Sequence, residues 1–374
     1  MPKEPAASDG SPPAGMRRDV ALSELTTLEL GGPARHLVEA AEVTDAIEAA
    51  SWARREGVPL AIIGGGSNLV VADNGWKGLV VRAAMRGIEI EHGEGGVKVT
   101  AAAGEPWDEV VAMTVEEDLA GLECLSGIPG WAGATPIQNV GAYGQEVAEV
   151  IESVEVLDLD SLSVQRLEAS QCGFSYRSSR FREAPGRFLV LAVVFRLRPG
   201  GRPTLRYREL AEALRGGQED PTLWETRQAV LDLRRAKSMV LDRDDANRRS
   251  VGSFFLNPLL DREAVVVLGE RARELGVLGP TDEVPGFPAE DGRLKVPAAW
   301  LAEGAGFAKG LRRGPVGVSS RHALALVHHG GGTSHELVAL AREIRHAVFE
   351  LFGIELRPEP VFLGFPSSDP LAEG

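Results

Sequence analysis

The spacing of apolar positions divides the chain into recognisable elements. Residues 25–34 (LTTLELGGPA) read as a short strand running into a glycine turn. Thr44 then looks like a helix cap, with Ile47, Ala50 and Ala53 at helical spacing and Gly57 as the stop. The apolar run 58–63 predicts a buried strand, followed at once by Gly64-Gly65-Gly66-Ser67-Asn68. Strands at 69–71 and 78–82 make this glycine run the joint between two strands of an α/β unit. From 87 to 102 the period changes to two: Ile88 and Ile90, then Val97 and Val99, alternate with polar residues around a hairpin tip at 92–96. Pro106 opens a helix carrying Trp107, Val110 and Val111, and strands follow at 154–159 and 188–197. Pro199-Gly200-Gly201 is the best candidate for a domain boundary. Beyond it the pattern turns helical: Asp220-Pro221 caps and opens a helix to about Lys237, and 336–352 carries Leu337, Leu340, Ile344 and Val348 on one face.

Composition acts mainly by exclusion. A chain of 374 residues has room for two or three cores, and 44% hydrophobic with 25% charged residues is ordinary for a soluble globular protein. A formal charge of -14 argues against a sequence-independent grip on nucleic acid. An anionic ligand must therefore be held by local backbone amides or by a few placed Arg and Lys. Cys124 and Cys172 offer neither a disulfide framework nor metal-ligand spacing, which suits a reducing cytoplasm. No apolar run reaches the length of a bilayer span. Residues 1–19, rich in Pro, Ala, Ser and Gly, lack the apolar middle of a signal peptide and are expected to be a disordered tail. The end from Leu363 onward is expected to be loose. His328-His329 and His335 have no acid at ligand spacing and read as a solvated loop, with no metal site.

Several stretches carry candidate chemistry. The glycines of 64–68 let successive backbone N–H groups converge on an anion, although a tight turn would use them equally well. The run is neither a P-loop nor a dinucleotide fingerprint, since no Gly-Lys-Ser/Thr ends it and no helix follows. Residues 127–144 (GIPGWAGATPIQNVGAYG) form a long glycine-punctuated segment without a charge, where backbone can approach a flat ligand and Gln138 and Asn139 offer amides. Arg234-Arg235-Ala236-Lys237 suits the negative end of a helix dipole and could equally grip a diphosphate. Glu359 stands between two prolines, either as a turn residue or as a rigidly held acid. Ser253 lies between Gly252 and the pair Phe254-Phe255, outside any G-x-S-x-G, with no base in sequence to activate it. The two rings wall a dry pocket or simply pack.

Taken in order, LTTLELGGPA, IIGGGSNLV, GLECLSGIPGWAGATPIQNVGAYG, FSYRSSRF, GSFFLNP, AAWLAEGAGFAKG and RPEPVFLG resemble the UDP-N-acetylenolpyruvoylglucosamine reductases from about residue 25 to 364. The resemblance implies an α+β protein: a two-subdomain FAD-binding fold of the vanillyl-alcohol-oxidase-like type, followed by a C-terminal α+β substrate domain. The implied partition is 1–19 tail, 20–85 and 86–200 FAD-binding subdomains, 201–356 substrate domain, and 357–374 return segment and tail. It implies non-covalent FAD on Gly64, Gly65, Gly66, Ser67 and Asn68 and on Ile128, Pro129, Gly130, Gln138, Asn139, Gly141, Ala142 and Tyr143. Arg177, Ser253 and Glu359 match the family's catalytic positions. Tyr207 looks like the substrate-capping tyrosine of the family's first type, which has the longer third domain, and Arg234, Lys237 and Asn257 match positions that hold the nucleotide-sugar.

The implied reaction is NADPH-dependent reduction of the enolpyruvyl ether of UDP-N-acetylglucosamine to UDP-N-acetylmuramate, for peptidoglycan, by a cytoplasmic monomer. Arg177 would stabilise the developing enolate, Glu359 would act beside it only if protonated, and Ser253 would deliver the proton. Two other readings compete. One is an FAD oxidase of the same superfamily, for which His36 and His92 are the available tethers. The other is a non-catalytic nucleotide-sugar sensor, against which the three catalytic positions speak.

Overall fold

The computed structural model describes residues 11–215, 220–289 and 291–372. The described residues form two compact units: those within 1–20, 33–65 and 76–230 make the first, and those within 21–32, 66–75 and 231–374 the second.

In the first unit a four-stranded sheet runs in the order Arg17–Ala21, Pro33–Ala40, Trp76–Ala83, Leu60–Ile63. Its last two pairings are parallel. The helix Val43–Arg55 turns Ala46, Ala49, Ala50 and Ala53 into one core with Leu79 and Val81 of that sheet. Small residues on this face let the helix approach the strands closely. A second sheet orders Ser163–Glu168, Ile151–Asp158, Phe188–Pro199, Gly96–Ala102 and Ile88–Gly93, with Leu119–Ala120 also pairing Phe188–Pro199. These pairings are antiparallel, and the alternation of Val97, Val99 and Ala101 turns those residues into a core with Trp107, Val110 and Val111.

In the second unit a four-stranded antiparallel sheet is ordered Ser250–Ser253, Ala325–His328, Val316–Val318, Arg312–Arg313. The helix Ser334–Phe352 covers a core that includes Val316, Val318 and Leu326, using Leu337, Leu340, Ile344 and Val348. A Thr333–Glu336 capping box and both carboxylate oxygens of Asp73, on the N–H groups of Ser334 and His335, satisfy its first turn.

Several expectations are corrected. The strand expected from residue 25 starts instead at Pro33, because Leu22–Leu25 is a 3-10 turn and Glu29 has a left-handed φ of 56°. Glu42 with Asp45, rather than Thr44, caps the first helix. Thr222 and Glu225 exchange the capping bonds of Leu223–Ala236, in place of Asp220. Leu60–Ile63 and Leu69–Val71 do not share a sheet, since Leu69–Val71 pairs in parallel with Val361–Leu363. Of the expected N-terminal tail, 1–10 lie outside the described residues, while Arg17–Asp19 belong to an edge strand tied by the Arg17–Glu39 ion pair at 3.0 Å. The C-terminal end is not loose: Leu371 is buried, Arg342 donates to the Pro370 carbonyl at 2.7 Å, and Arg345 pairs with Asp369 at 2.7 Å. His328 is likewise no solvated loop residue, because it closes the buried strand Ala325–His328.

Candidate active site

Gly64 and Gly65 fall in the first unit and stand against the segment 127–144. A Cβ on Gly65 would lie 3.0 Å from Gly130 Cα and 3.0 Å from Trp131 Cδ1. With no side chain between them, the two backbone segments pack directly against each other. The Arg82 guanidinium lies 4.4 Å over the Trp131 ring and that of Arg86 5.5 Å, which brings positive charge to the same wall. The 127–144 segment is pinned by backbone bonds: Ala132 N–H donates to Glu105 O at 2.8 Å and Gly133 N–H to Ala103 O at 2.9 Å. Ile128, Pro129, Gly130, Gly141, Ala142 and Tyr143 are half-buried.

The two amides do not behave as a pair. Asn139 is buried with φ 46°, and its side chain is taken up in holding the loop. Its Nδ2 donates to Glu146 at 2.7 Å and to the Ser175 carbonyl at 3.1 Å, and its Oδ1 accepts from Ala148 N–H at 3.1 Å. Gln138 Oε1 accepts from Arg182 at 3.0 Å.

Arg177, in the left-handed region at φ 52°, turns its guanidinium back on this loop. Nη1 donates to the Asn139 carbonyl at 3.2 Å, Nη2 donates to the Gly141 carbonyl, and Glu146 lies 3.9 Å away. The cation and the glycine loop are thus one rigid piece of the first unit. Tyr207, half-buried at the start of Arg208–Leu214, meets Tyr143 edge-on with ring centroids 5.4 Å apart. Burial raises its phenol pKa, with Glu209 adding to the effect, so the ring keeps its hydroxyl proton.

In the second unit, residues far apart in sequence converge. Gly66 has φ 69°, and a Cβ there would sit 2.0 Å from the Leu25 carbonyl, so only glycine fits. Thr27 Oγ1 donates to the Ser250 carbonyl at 2.8 Å and lies 3.4 Å from the Ser67 carbonyl. The segment after Ser253 is zipped to the return segment: Glu359 N–H donates to Phe254 O, and Leu256 N–H to Arg357 O, both at 2.9 Å. Asn68 Nδ2 donates to the Glu359 carbonyl at 3.3 Å, and Val361 N–H to Asn68 O at 2.9 Å. Ser253, Glu359 and Asn68 are therefore held by neighbouring backbone. Phe254 and Phe255 are fully buried core residues, so packing accounts for them. Asn257 Oδ1 accepts from Ala298 N–H at 2.9 Å, which satisfies the first N–H of the helix Ala298–Gly304.

The residue that sequence reasoning missed is His322. Its Nε2 lies 3.1 Å from Ser253 Oγ, so the serine does have a nitrogen beside it. Desolvation lowers the His322 pKa to about 4, and the positive charges of Lys237, Lys309 and Arg234 act in the same direction. The ring is neutral at pH 7. Those charges also bring two of the expected nucleotide-sugar residues into the neighbourhood of Ser253.

Known proteins decide the family. Residues 34–165 match the model of an FAD binding domain, and 244–363 match the C-terminal domain of UDP-N-acetylenolpyruvoylglucosamine reductase. The reductase of that name from Streptomyces coelicolor is 47% identical over 92% of this chain and 90% of its own. The chain belongs to the UDP-N-acetylenolpyruvoylglucosamine reductase family. The reductase from Thermobifida fusca is likewise 47% identical, over 93% of this chain and 98% of its own. The solved Thermus caldophilus reductase shares the fold, with a TM-score of 0.62 at 24% identity over 93% of this chain and 99% of its own. The fold is thus an FAD-binding domain of the vanillyl-alcohol-oxidase-like type with the family's C-terminal domain. The bare backbone of Gly65 against Gly130 and the Arg82 and Arg86 guanidiniums over Trp131 suit that cofactor, since a flat flavin needs exposed backbone and its diphosphate needs nearby cations. Among the described residues no helix is long and apolar enough to cross a membrane, and no cluster of His, Cys, Asp and Glu could hold a metal.

Proposed function

We infer that this chain is a flavoprotein UDP-N-acetylmuramate dehydrogenase, which reduces the enolpyruvyl ether of UDP-N-acetylglucosamine to UDP-N-acetylmuramate with NADPH in peptidoglycan precursor synthesis. The observation that carries it is near-full-length identity of 47% to two UDP-N-acetylenolpyruvoylglucosamine reductases. Bound FAD supplies hydride transfer from NADPH to the terminal carbon of the enolpyruvyl group. The residues proposed to hold it are Gly64, Gly65, Gly66, Ser67 and Asn68, with the backbone of Ile128, Pro129, Gly130, Gly141, Ala142 and Tyr143. Gln138 and Asn139 take part through the loop they brace.

As hydride adds, negative charge grows on the adjacent carbon and its carboxylate. Arg177 stabilises that charge, a task for which a guanidinium already fixed to its loop needs little reorganisation. Glu359 assists as a neutral hydrogen-bond donor, since an ionised carboxylate would repel the enolate. Ser253 Oγ–H gives its proton to the carbanion: the C–H bond forms, the O–H pair stays on oxygen, and solvent later restores the hydroxyl. Tyr207 caps the substrate, and Arg234, Lys237 and Asn257 hold its diphosphate and sugar. We assign cofactor binding to 20–85 and 86–200, substrate binding to 201–356 and the Glu359 return to 357–374. We further assign the enzyme to the cytoplasm as a monomer, which sedimentation at the mass of two chains would refute.

Isotope placement tests the chemistry. Turnover in deuterium oxide should put one deuterium on the carbon bearing the ether oxygen, and NADPH deuterated on its transferred hydrogen should leave that carbon unlabelled, since any label that survives exchange at the reduced flavin goes to the terminal carbon. Both labels on one carbon, or NADPH consumption unaffected by omitting the enolpyruvyl substrate, would refute the reading.

A further inference from the structure

Ser253 and His322 are placed by the same small sheet. Ser253 ends its strand opposite Ala325, and Phe254 N–H donates to Leu324 O at 2.8 Å. His322 sits in the turn just before that partner strand. The turn is fixed at both ends: Ser319 N–H donates to Ala325 O at 2.8 Å and Ala325 N–H to His322 O at 3.1 Å. Buried Ser319 accepts from the N–H groups of Arg321 and His322 through Oγ, and Ser320 N–H donates to Asn247 Oδ1 at 3.0 Å. The backbone that carries the imidazole is therefore fixed beside the serine. Being neutral, the ring carries one proton, on Nδ1 or on Nε2. The two tautomers have opposite consequences. With Nε2 bare, the serine O–H points into the imidazole, as in a nucleophile and base pair. With Nε2 protonated, the ring donates to Oγ and the serine proton is turned outward.

We propose that His322 is a positioning residue that holds its proton on Nε2 and donates it to Ser253 Oγ, aiming the serine proton at the substrate carbanion. This rests on the reading of Ser253 as proton donor. The covalent change is that already given: Oγ–H breaks, the substrate C–H forms, and the pair left on Oγ is supported by the Nε2–H hydrogen bond until water returns the proton. No proton leaves the histidine, so the step does not require an imidazolate. Lys237, Lys309 and Arg234 act on the same ring and favour its neutral form. That arrangement suits a fixed hydrogen-bond donor rather than a base that must become cationic.

The test separates the two half-reactions of the holoenzyme. His322→Ala should leave flavin reduction by NADPH within about twofold of wild type. It should slow flavin reoxidation by the enolpyruvyl substrate on the order of 100-fold, the scale for one donor to a developing oxyanion. His322→Gln, which offers an amide N–H, should recover part of that loss, and His322→Ala should add little to Ser253→Ala. Nitrogen-15 spectra of His322 in the wild-type protein give a readout independent of turnover: a neutral ring at pH 7 protonated on Nε2, with that signal shifted in Ser253→Ala. An Nδ1-protonated ring, or a charged one, overturns the proposal, as does equal slowing of both half-reactions. A silent His322→Ala beside a crippled Ser253→Ala overturns the histidine's role alone. An unimpaired Ser253→Ala overturns the proton-donor reading beneath it. If His322→Ala does not fold, His322→Gln and the wild-type spectra still decide.

Discussion

The chemistry open to Arg177, Ser253 and Glu359 turns on which protonation states the site can hold. Ser253 read as a hydroxyl without a partner because His322 lies far along the chain and SSRH has no spacing that marks it. Only the pairing of Ser250–Ser253 with Ala325–His328 brings the two together. Glu359 was legible as a rigid acid from its flanking prolines, but its attachment to Phe254 and Asn68 was not, since backbone bonds between distant segments leave no local pattern. Asn139 shows the reverse. An amide in a glycine loop suggested a ligand contact, and the structure spends its side chain on bracing. A sharp expectation attaches to Glu359: carbon-13 carboxyl signals should show it protonated at pH 7 in the holoenzyme. A carboxylate already ionised well below neutral pH would remove it from the enolate-stabilising set.

Elements were legible where the side-chain period was clean. The face of Leu337, Leu340, Ile344 and Val348 and the alternation around Val97 and Val99 carried over to helix and sheet. They were misread where backbone geometry overrode pattern, as at Glu29 with its positive φ, or where adjacent strands joined different sheets, as across residues 64–68. Charge pairs between strands were also invisible. Glu152 meets Lys98 at 3.0 Å, Arg166 at 3.3 Å and Arg196 at 2.6 Å, linking four strands of the antiparallel sheet. Desolvation pushes its pKa up, but hydrogen bonds from Lys98 and Arg196 outweigh this and hold it below the usual carboxylate value. Such a group stabilises the fold above the unfolded-state pKa, and that stability is lost as pH falls through the lower folded one. Glu152→Gln should lower the melting midpoint at pH 7 by roughly 2–4 °C, as for about 1 kcal/mol, with the gap closing in acid. A gap that persisted at low pH would show that lost packing, not charge, causes it.

For the whole molecule, a chain of net charge -14 acts on an anionic nucleotide-sugar and an anionic cofactor. That combination is workable because the positive charge is local: Arg82 and Arg86 at Trp131 in one unit, and Arg234, Lys237 and Lys309 acting on His322 in the other. The seven motifs that carry the resemblance combine glycine turns and single polar residues with core elements such as the helix Ala298–Gly304 and buried Phe254 and Phe255, and they are readable in order along the chain. The most direct measurement is an anaerobic titration of the yellow holoprotein. NADPH should bleach the flavin, and the enolpyruvyl ether of UDP-N-acetylglucosamine should then restore its colour while forming UDP-N-acetylmuramate, without oxygen. Flavin that stays reduced until air is admitted would contradict the account and point to an oxidase.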